Sequence, residues 1–499
     1  MPAARLRAAR ALVPLLVLGL ALAGCAGGPP VSRSAPGEVT VALSTPPSGL
    51  NYTRNSGVAI PQALLYNVYE TLVKIAPDGR LQPLLAESWT VSPDRLEYTF
   101  TLRRGVTFTD GTPFTADDVV FSFDRLDTWT TASAGQLSRI AETRAPSPHV
   151  VQLRLSEPDN ALLASLAGPA GTIFTPSGAG TLATDPVGTG PYDVASYDTG
   201  ATMRLVAHDG WWGGRPPMRA ITLAYYTDPT AQTNALLTGG PDAALGVGSP
   251  QLLPRFADDP AFRVTEGTTN GEMVLAMNNA APPFDDVRLR RAVRHAVDDD
   301  AVREIAMEGR GTPITSMVPP TDPWFDDRPD PYPHDPARAR ELLAGEHPEI
   351  SFKVPNLPQY VRAAQAVQSD LQAAGFVVDL QLLEFPAVWL GEVFTGHDYQ
   401  LSMVIHAEPR DIGTFSSPTS YFGFDDPRAA AVLAAARSGP PEQYVDRMRE
   451  YARIVTDEAA AGFLYLTPWL NVVHADVTGE PTGNASESID LTAIRRAGR

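Results

Sequence analysis

The stretch NVYETLVKIAPDGRLQPLLAESWTVSPDRLEYTFTLRRGVTFTDGTPFTADDVVFSFDRL, residues 67–126, decides how the rest of the chain is read. In its middle, Leu96, Tyr98, Phe100 and Leu102 alternate with Glu97, Thr99, Thr101 and Arg103. A period of two puts the apolar side chains on one face of a pleated strand, so one face is buried and the other wet. Arg104-Gly105 ends the strand and Asp110-Gly111 reverses the chain, since these residues tolerate positive φ. Thr115 then predicts a helix cap, with Asp118 as the acid of a capping box and Asp117 and Asp118 at the positive end of the helix dipole. Val119, Val120, Phe123 and Leu126 give that helix its apolar face.

Three ordered blocks in this stretch carry a resemblance: AESW (86–89), EYTFTLRRGVTF (97–108) and DGTPFTADDVVFSF (110–123). Together they resemble the signature of the bacterial extracellular solute-binding family 5, the peptide, oligopeptide and nickel binding proteins of ABC importers. Two further blocks are similar to the family's pattern, PVGTGPY (186–192) and MVLAMNNAAPPFDDVRLRRAVRHAVDDDAV (273–302). The resemblance implies an α/β, two-lobed periplasmic-binding-protein-like fold of the class II type, with an extra subdomain in the first lobe. Read as residues alone, the signature is packing core: it identifies the family without marking where ligand sits.

The chain has 499 residues and a formal net charge of −18, enough length for two or three cores and no basic stripe for a phosphate backbone. Nucleic acid is therefore not an expected partner. Arg5, Arg7 and Arg10 precede an apolar run over residues 11–23, too short to span a bilayer and typical of an export signal. Leu22-Ala23-Gly24-Cys25 then resembles a bacterial lipobox, and Cys25 is the only cysteine. Lipidation of Cys25 would hold the exported protein at the outer face of the cell membrane, or in the periplasm. The expected organisation is a signal peptide and lipobox over 1–25, a flexible tether over 26–38 and a first lobe over 39–272 with a subdomain at about 75–185. A second lobe over 273–474 and a return to the first lobe over 475–499 complete it.

Outside the signature, Val39 to Leu43 predicts the first strand, and Pro61 starts a helix carrying Leu64, Leu65, Val68 and Leu72 at helical spacing. Helix and strand alternation from residue 335 to 405 argues for an α/β second lobe. The loop Pro186 to Tyr192 lacks the third glycine of a dinucleotide fingerprint and reads as a turn. Arg288, Arg290, Arg291 and Arg294 lie on one predicted helix, either an anion site or a structural or transporter-facing surface, the latter favoured by the resemblance.

The resemblance implies that ligand is enclosed between lobes, with wall segments at Asn55-Ser56-Gly57-Val58 and at His406-Ala407-Glu408-Pro409-Arg410-Asp411. Family oligopeptide binders often have an acid where Ser56 stands, and a Trp-x-x-Asp pattern whose aspartate holds the ligand's amino terminus. Here the tryptophan is missing, and Glu408 or Asp411 supplies the carboxylate that a buried ammonium requires. Arg410 could pair with a ligand carboxylate or neutralise Asp411. Tyr421, Phe422 and Phe424 could line an apolar wall or pack the lobe, and Asn278 and Asn279 are expected near the crossing between lobes, donating to a ligand backbone.

Catalytic patterns are weak. Asp198-Thr199-Gly200 matches an aspartic-protease tripeptide but has no second copy, and there is no Gly-x-Ser-x-Gly elbow. The eight histidines show no metal-ligand spacing. The expected protein is thus not an enzyme and carries no cofactor or metal. It is a monomeric capture component that hands a peptide or similar small solute to ABC permease and ATPase subunits. A nickel chelate, sugar or haem is the alternative ligand, and a lipid-anchored hydrolase the rival class.

Overall fold

Strand Glu38–Leu43 founds the first lobe, pairing in parallel with Ala220–Tyr225 on one side and Ala243–Ala244 on the other. A computed structural model describes residues 34–55 and 57–497; the signal peptide, lipobox and Cys25, the tether up to residue 33, and Ser56 lie outside the described residues. The full sheet has seven strands, in the order Phe262–Gly267, Trp469–His474, Ala243–Ala244, Glu38–Leu43, Ala220–Tyr225, Thr202–Ala207 and Tyr192–Asp198. Its central strands are apolar on both faces, as a sheet covered on both sides demands, and Val41, Leu205, Ile221, Leu223 and Val473 are fully buried.

The signature block builds a separate four-stranded antiparallel sheet, Ala86–Val91, Glu97–Leu102, Val150–Leu155 and Ile140–Ser147. Tyr98, Phe100 and Leu102 point inward, as the alternation requires. Helix Ala116–Phe123 packs against the last two of these strands and buries Val119 and Phe123 in the same core. Its capping box is formed: the Thr115 amide donates to Asp118 Oδ2 at 2.8 Å. Such a cap contributes about 1 kcal/mol.

The PVGTGPY segment is a close-packing turn. A side chain on Gly188 would lie 2.0 Å from the Val68 carbonyl oxygen, and one on Gly190 would lie 2.7 Å from it. Beside this turn Glu70 is buried and accepts from Thr189 Oγ1 and Trp212 Nε1, each at 2.9 Å, and from Trp211 Nε1 at 3.3 Å. Burial pushes its pKa up to about 7 against the hydrogen bonds that favour the charge. The helix expected from Pro61 to Leu72 spans only Ala59–Leu64. Tyr66 takes a left-handed conformation, and the Asn67 side chain donates to the Ile489 carbonyl at 2.8 Å and accepts from the Leu491 amide at 2.9 Å. A contact from more than 400 residues along the chain thus overrides a helical pattern.

The second lobe holds a mixed six-stranded sheet, Thr312–Pro313, Ala461–Leu466, Glu272–Met277, Leu401–His406, Glu349–Pro355 and Val377–Leu383. Helices Val287–Ala296, Asp299–Met307, Pro336–Leu343 and Pro358–Ala374 belong to this lobe. Asp286 caps the first by accepting from the Arg288 amide at 2.8 Å. The arginines of that helix are internal ties: Arg290 donates to the carbonyls of Phe284, Glu458 and Ala459, and Arg294 reaches Asp299 and Asp330 at 3.1 and 3.0 Å.

The chain passes between the sheets at residues 268–271 and again at 467–468. The two passages lie side by side: the Thr467 amide donates to the Gly271 carbonyl at 2.8 Å, and Thr269 Oγ1 to the Thr467 carbonyl at 2.8 Å. Strand Trp469–His474 therefore pairs in the first-lobe sheet, against Phe262–Gly267 and Ala243–Ala244, and not in the second lobe expected to run to residue 474. An apolar strand reads the same in either sheet, so the sequence pattern could not place the return.

Candidate ligand-binding cleft

The candidate wall of the second lobe is the loop that leaves strand Leu401–His406. His406 is the cross-strand partner of Glu272, so both side chains stand on one face of the sheet. The imidazole is fixed from both ends: Nδ1 lies 3.3 Å from Asp411 Oδ2 and Nε2 lies 2.7 Å from the Tyr421 hydroxyl. Its ring also stacks with those of Tyr421 and Phe422, at centroid distances of 5.9 and 5.5 Å. Tyr421 and Phe422 are buried packing residues of this lobe, and Tyr421 orients the histidine. Phe424 belongs to the same core, in edge contact with Phe415 at 6.2 Å.

Carboxyl groups crowd this corner. Glu408 is exposed, while Asp411 is half-buried behind it. Glu272 is 1% exposed, and its Oε2 has no hydrogen-bond partner among the described residues. Burial first, then the charges of Asp411, Asp322 and Glu408, push the Glu272 carboxyl well above its usual range. Burial likewise lifts Asp411 to about 6, against the hydrogen bond and charge of His406. Burial draws the His406 imidazole down, but Asp411 and Glu408 outweigh it and its pKa lies above the ordinary value. From the first lobe, Glu487 faces the same charges: burial, then Glu408 and Asp411, push it up to about 8.

Arg410 does not pair with Asp411. Its backbone is left-handed, and the side chain turns the other way: Nη2 donates to the Gly79 carbonyl of the first lobe at 3.0 Å, while Nε lies 3.9 Å from Asp322 and the guanidinium lies over Trp324. Arg410 is thus a tie between lobes. Asn278 and Asn279 follow strand Glu272–Met277 at the end away from the crossing, contrary to the expectation that they sit beside it. Their amides are spent internally, Asn278 on the carbonyls of His397 and Tyr399, and Asn279 on those of Met277, Phe422 and Ala460. The strand carries them from the hinge to the far edge of the lobe, where they fix its own turns.

In the first-lobe segment, the Asn55 amide donates to the Asn51 carbonyl, Gly57 has positive φ with open space around it, and Val58 caps helix Ala59–Leu64. No hydrogen bond or ion pair among the described residues joins Asn55, Gly57 or Val58 to the 406–411 loop. Sequence reasoning missed Glu272 and Glu487. An acid at the head of the otherwise apolar EMVLAM strand was the available signal for the first; nothing local marks the second. It also missed that His406, Glu408 and Asp411, spaced two and three apart, bring their ligand atoms within 4.8 Å of one another, a donor set that could hold a metal ion.

The lobes also meet at a rim. Asn160 Nδ2 donates to the carbonyls of Ala436 and Gly439 at 2.8 and 3.0 Å, and Arg95 Nη2 to that of Ser438 at 2.7 Å, so the first lobe caps the end of second-lobe helix Pro427–Ser438. Arg437 Nη2 lies 2.9 Å from Asp159 Oδ2, whose side chain is 1% exposed, and Arg139 stands on the other carboxylate oxygen at 3.7 Å. This is a closed arrangement, with acids at the cleft and paired charges at the rim.

Residues 80–424 match the family described as bacterial extracellular solute-binding proteins, family 5 middle, which is well over half of the chain. The chain belongs to that family. Di/tripeptide-binding protein 2 of Pseudomonas aeruginosa (strain UCBPP-PA14) is 29% identical to this family 5 protein, over 89% of this chain and 90% of its own length. Heme-binding protein A of Haemophilus influenzae is 33% identical over 56% of each chain, so that alignment spans little more than half of that relative. A crystal structure of a dipeptide-binding protein from Pseudoalteromonas sp. SM9913, in complex with Met-Leu, superposes with a TM-score of 0.81. At 22% identity, covering 92% of this chain and 100% of that one, it establishes a shared two-lobed fold. The family is one of extracellular solute-binding proteins; Asp198 lies exposed beside a hairpin turn.

Proposed function

We propose that this family 5 protein captures peptides for an ABC importer, holding the ligand's amino terminus at Glu408 and Asp411 and delivering it to a membrane permease. The observation that carries the reading is the corner around His406, where carboxyl groups outnumber bases in the wall between two lobes. An ammonium supplies the missing countercharge, and enclosure by both lobes strengthens the attraction. Ligand favours the closed state by its higher affinity for that state, and the permease reads closure. No bond is made or broken. Acylation of Cys25 would keep the monomeric protein at the outer face of the cell membrane, or in the periplasm. Likeness to a di/tripeptide-binding relative over nearly the whole chain, at 29% identity, supports the ligand class.

The donor set of His406, Glu408 and Asp411 favours one second reading, a metal complex as ligand. Native mass spectrometry of the purified protein, before and after mild unfolding, separates the two. A ladder of released peptides is expected. A single metal-containing mass would replace the peptide reading with the metal complex, and a single non-peptide organic mass would refute both.

A further inference from the structure

The charges of the cleft are unevenly matched. Glu272, Asp322, Glu408, Asp411 and Glu487 act on one another through space, and the bases set against them are Arg410 and His406. Arg410 is occupied by Asp322 and the Gly79 carbonyl, and His406 by Asp411. Among the described residues, three of the five carboxyl groups therefore have no ion-pair partner. Two observations single out Glu272 among them. Its Oε2 is without a hydrogen-bond partner among the described residues although the residue is 1% exposed, and a buried polar oxygen in that condition is costly until a donor reaches it. It also pairs across the sheet with His406, on the face from which the 406–411 loop departs, so it stands one strand away from the Glu408–Asp411 corner.

An ammonium at Glu408 and Asp411 answers one corner and leaves Glu272 as it was. A single metal ion on His406, Glu408 and Asp411 has the same limit, since its bonds reach only about 2 Å. A ligand with a second cationic group a few bonds from the first answers both, and Glu487 of the facing lobe closes over the pair.

We propose that the cleft selects peptides with two positive charges at the amino end, the terminal ammonium at Glu408 and Asp411 and a basic first side chain at Glu272. The inference rests on the peptide reading and narrows it, with Glu272 as the residue that sets specificity.

The test is calorimetric titration of the full protein, freed of passengers by unfolding and refolding, with Lys-Ala-Ala, Ala-Ala-Ala and nickel chloride. The wild type is compared with Glu272→Gln and, should that variant fold poorly, Glu487→Gln. The wild type is expected to bind Lys-Ala-Ala at least tenfold tighter than Ala-Ala-Ala. Glu272→Gln should bring that ratio close to one; Glu487→Gln should reduce it by a smaller factor. Equal affinity of the wild type for the two peptides, or a ratio untouched by both variants, overturns the inference while leaving the peptide reading intact. Binding of nickel alone, with neither peptide bound, overturns the peptide reading and this inference with it.

Discussion

Two charged regions bridge the lobes, and they are built on opposite principles. At the rim, Asp159 meets Arg437 and Arg139, and the carbonyls ending helix Pro427–Ser438 receive Arg95 and Asn160. Every charge there has a partner within the protein. In the cleft, Glu272 and Glu487 make no ion pair among the described residues, and burial holds both carboxyls well above their usual range. The rim is complete when the lobes touch, whereas on the proposed peptide reading the cleft is complete only with a ligand between them. A matched set of charges stabilises closure itself; an unmatched set makes closure depend on what is enclosed.

The largest way to break this comparison is at Asp411. Asp411→Asn removes a carboxylate that ligand needs and leaves its ammonium poorly paired, at a cost of about 2–5 kcal/mol in binding. Affinity for a peptide with a free amino terminus should fall by a factor of about 30 to 1,000 or more, read by calorimetry, with the unfolding midpoint nearly unmoved. Loss of stability without loss of affinity would place Asp411 with the rim.

How much of this was legible beforehand follows from the range of the interactions. Strand Glu97–Leu102 and the Thr115 capping box depend on neighbours in sequence, and both stand where the alternation and the turn residues put them. The family resemblance points to the loop at 406–411 as a candidate wall, but its geometry is not readable from the sequence. That Arg410 turns to Asp322 and Gly79 depends on a contact with the other lobe. Glu272 reaches the cleft through its register against His406, and Glu487 through the return of the chain to the first lobe, pairings that no local pattern encodes. Asn278 and Asn279 were misplaced for the same reason: the strand they follow was visible, its direction relative to the hinge was not.

Glu70 sharpens the comparison, as a buried acid saturated with donors and remote from ligand. Its folded pKa is raised to about 7 from an ordinary 4.5, so the fold binds the proton more tightly than the unfolded chain does. The stability this contributes is fully present below the unfolded value and is lost as pH rises through the folded one. Denaturant unfolding at about pH 5 and about pH 8 should show the wild type losing up to about 3 kcal/mol relative to Glu70→Gln, with peptide affinity unaffected. A difference that does not change with pH would contradict the assignment.

At the rim, Arg437→Ala should weaken closure by about 1–3 kcal/mol, since it strips a buried carboxylate of one partner that is itself a third exposed. The expected result is a uniform loss of affinity for all peptides and a larger radius of gyration in solution scattering. A loss that depends on the ligand's first residue would move Arg437 into the binding machinery. The smallest effect is at the subdomain cap: Thr115→Ala should lower stability by about 1 kcal/mol, seen as a shift in denaturant midpoint, and leave affinity alone.

The most direct measurement of the central claim, that unmatched cleft carboxylates hold a ligand's amino terminus, is calorimetric titration of the wild type and Asp411→Asn with one tripeptide in amino-free and amino-acetylated forms. Acetylation removes the positive charge and two of its three N–H donors and adds a small neutral group; it should weaken binding to the wild type by at least tenfold and binding to Asp411→Asn far less. Equal affinity of the wild type for both forms would contradict the account, because the cleft's charge would then play no part in holding the ligand.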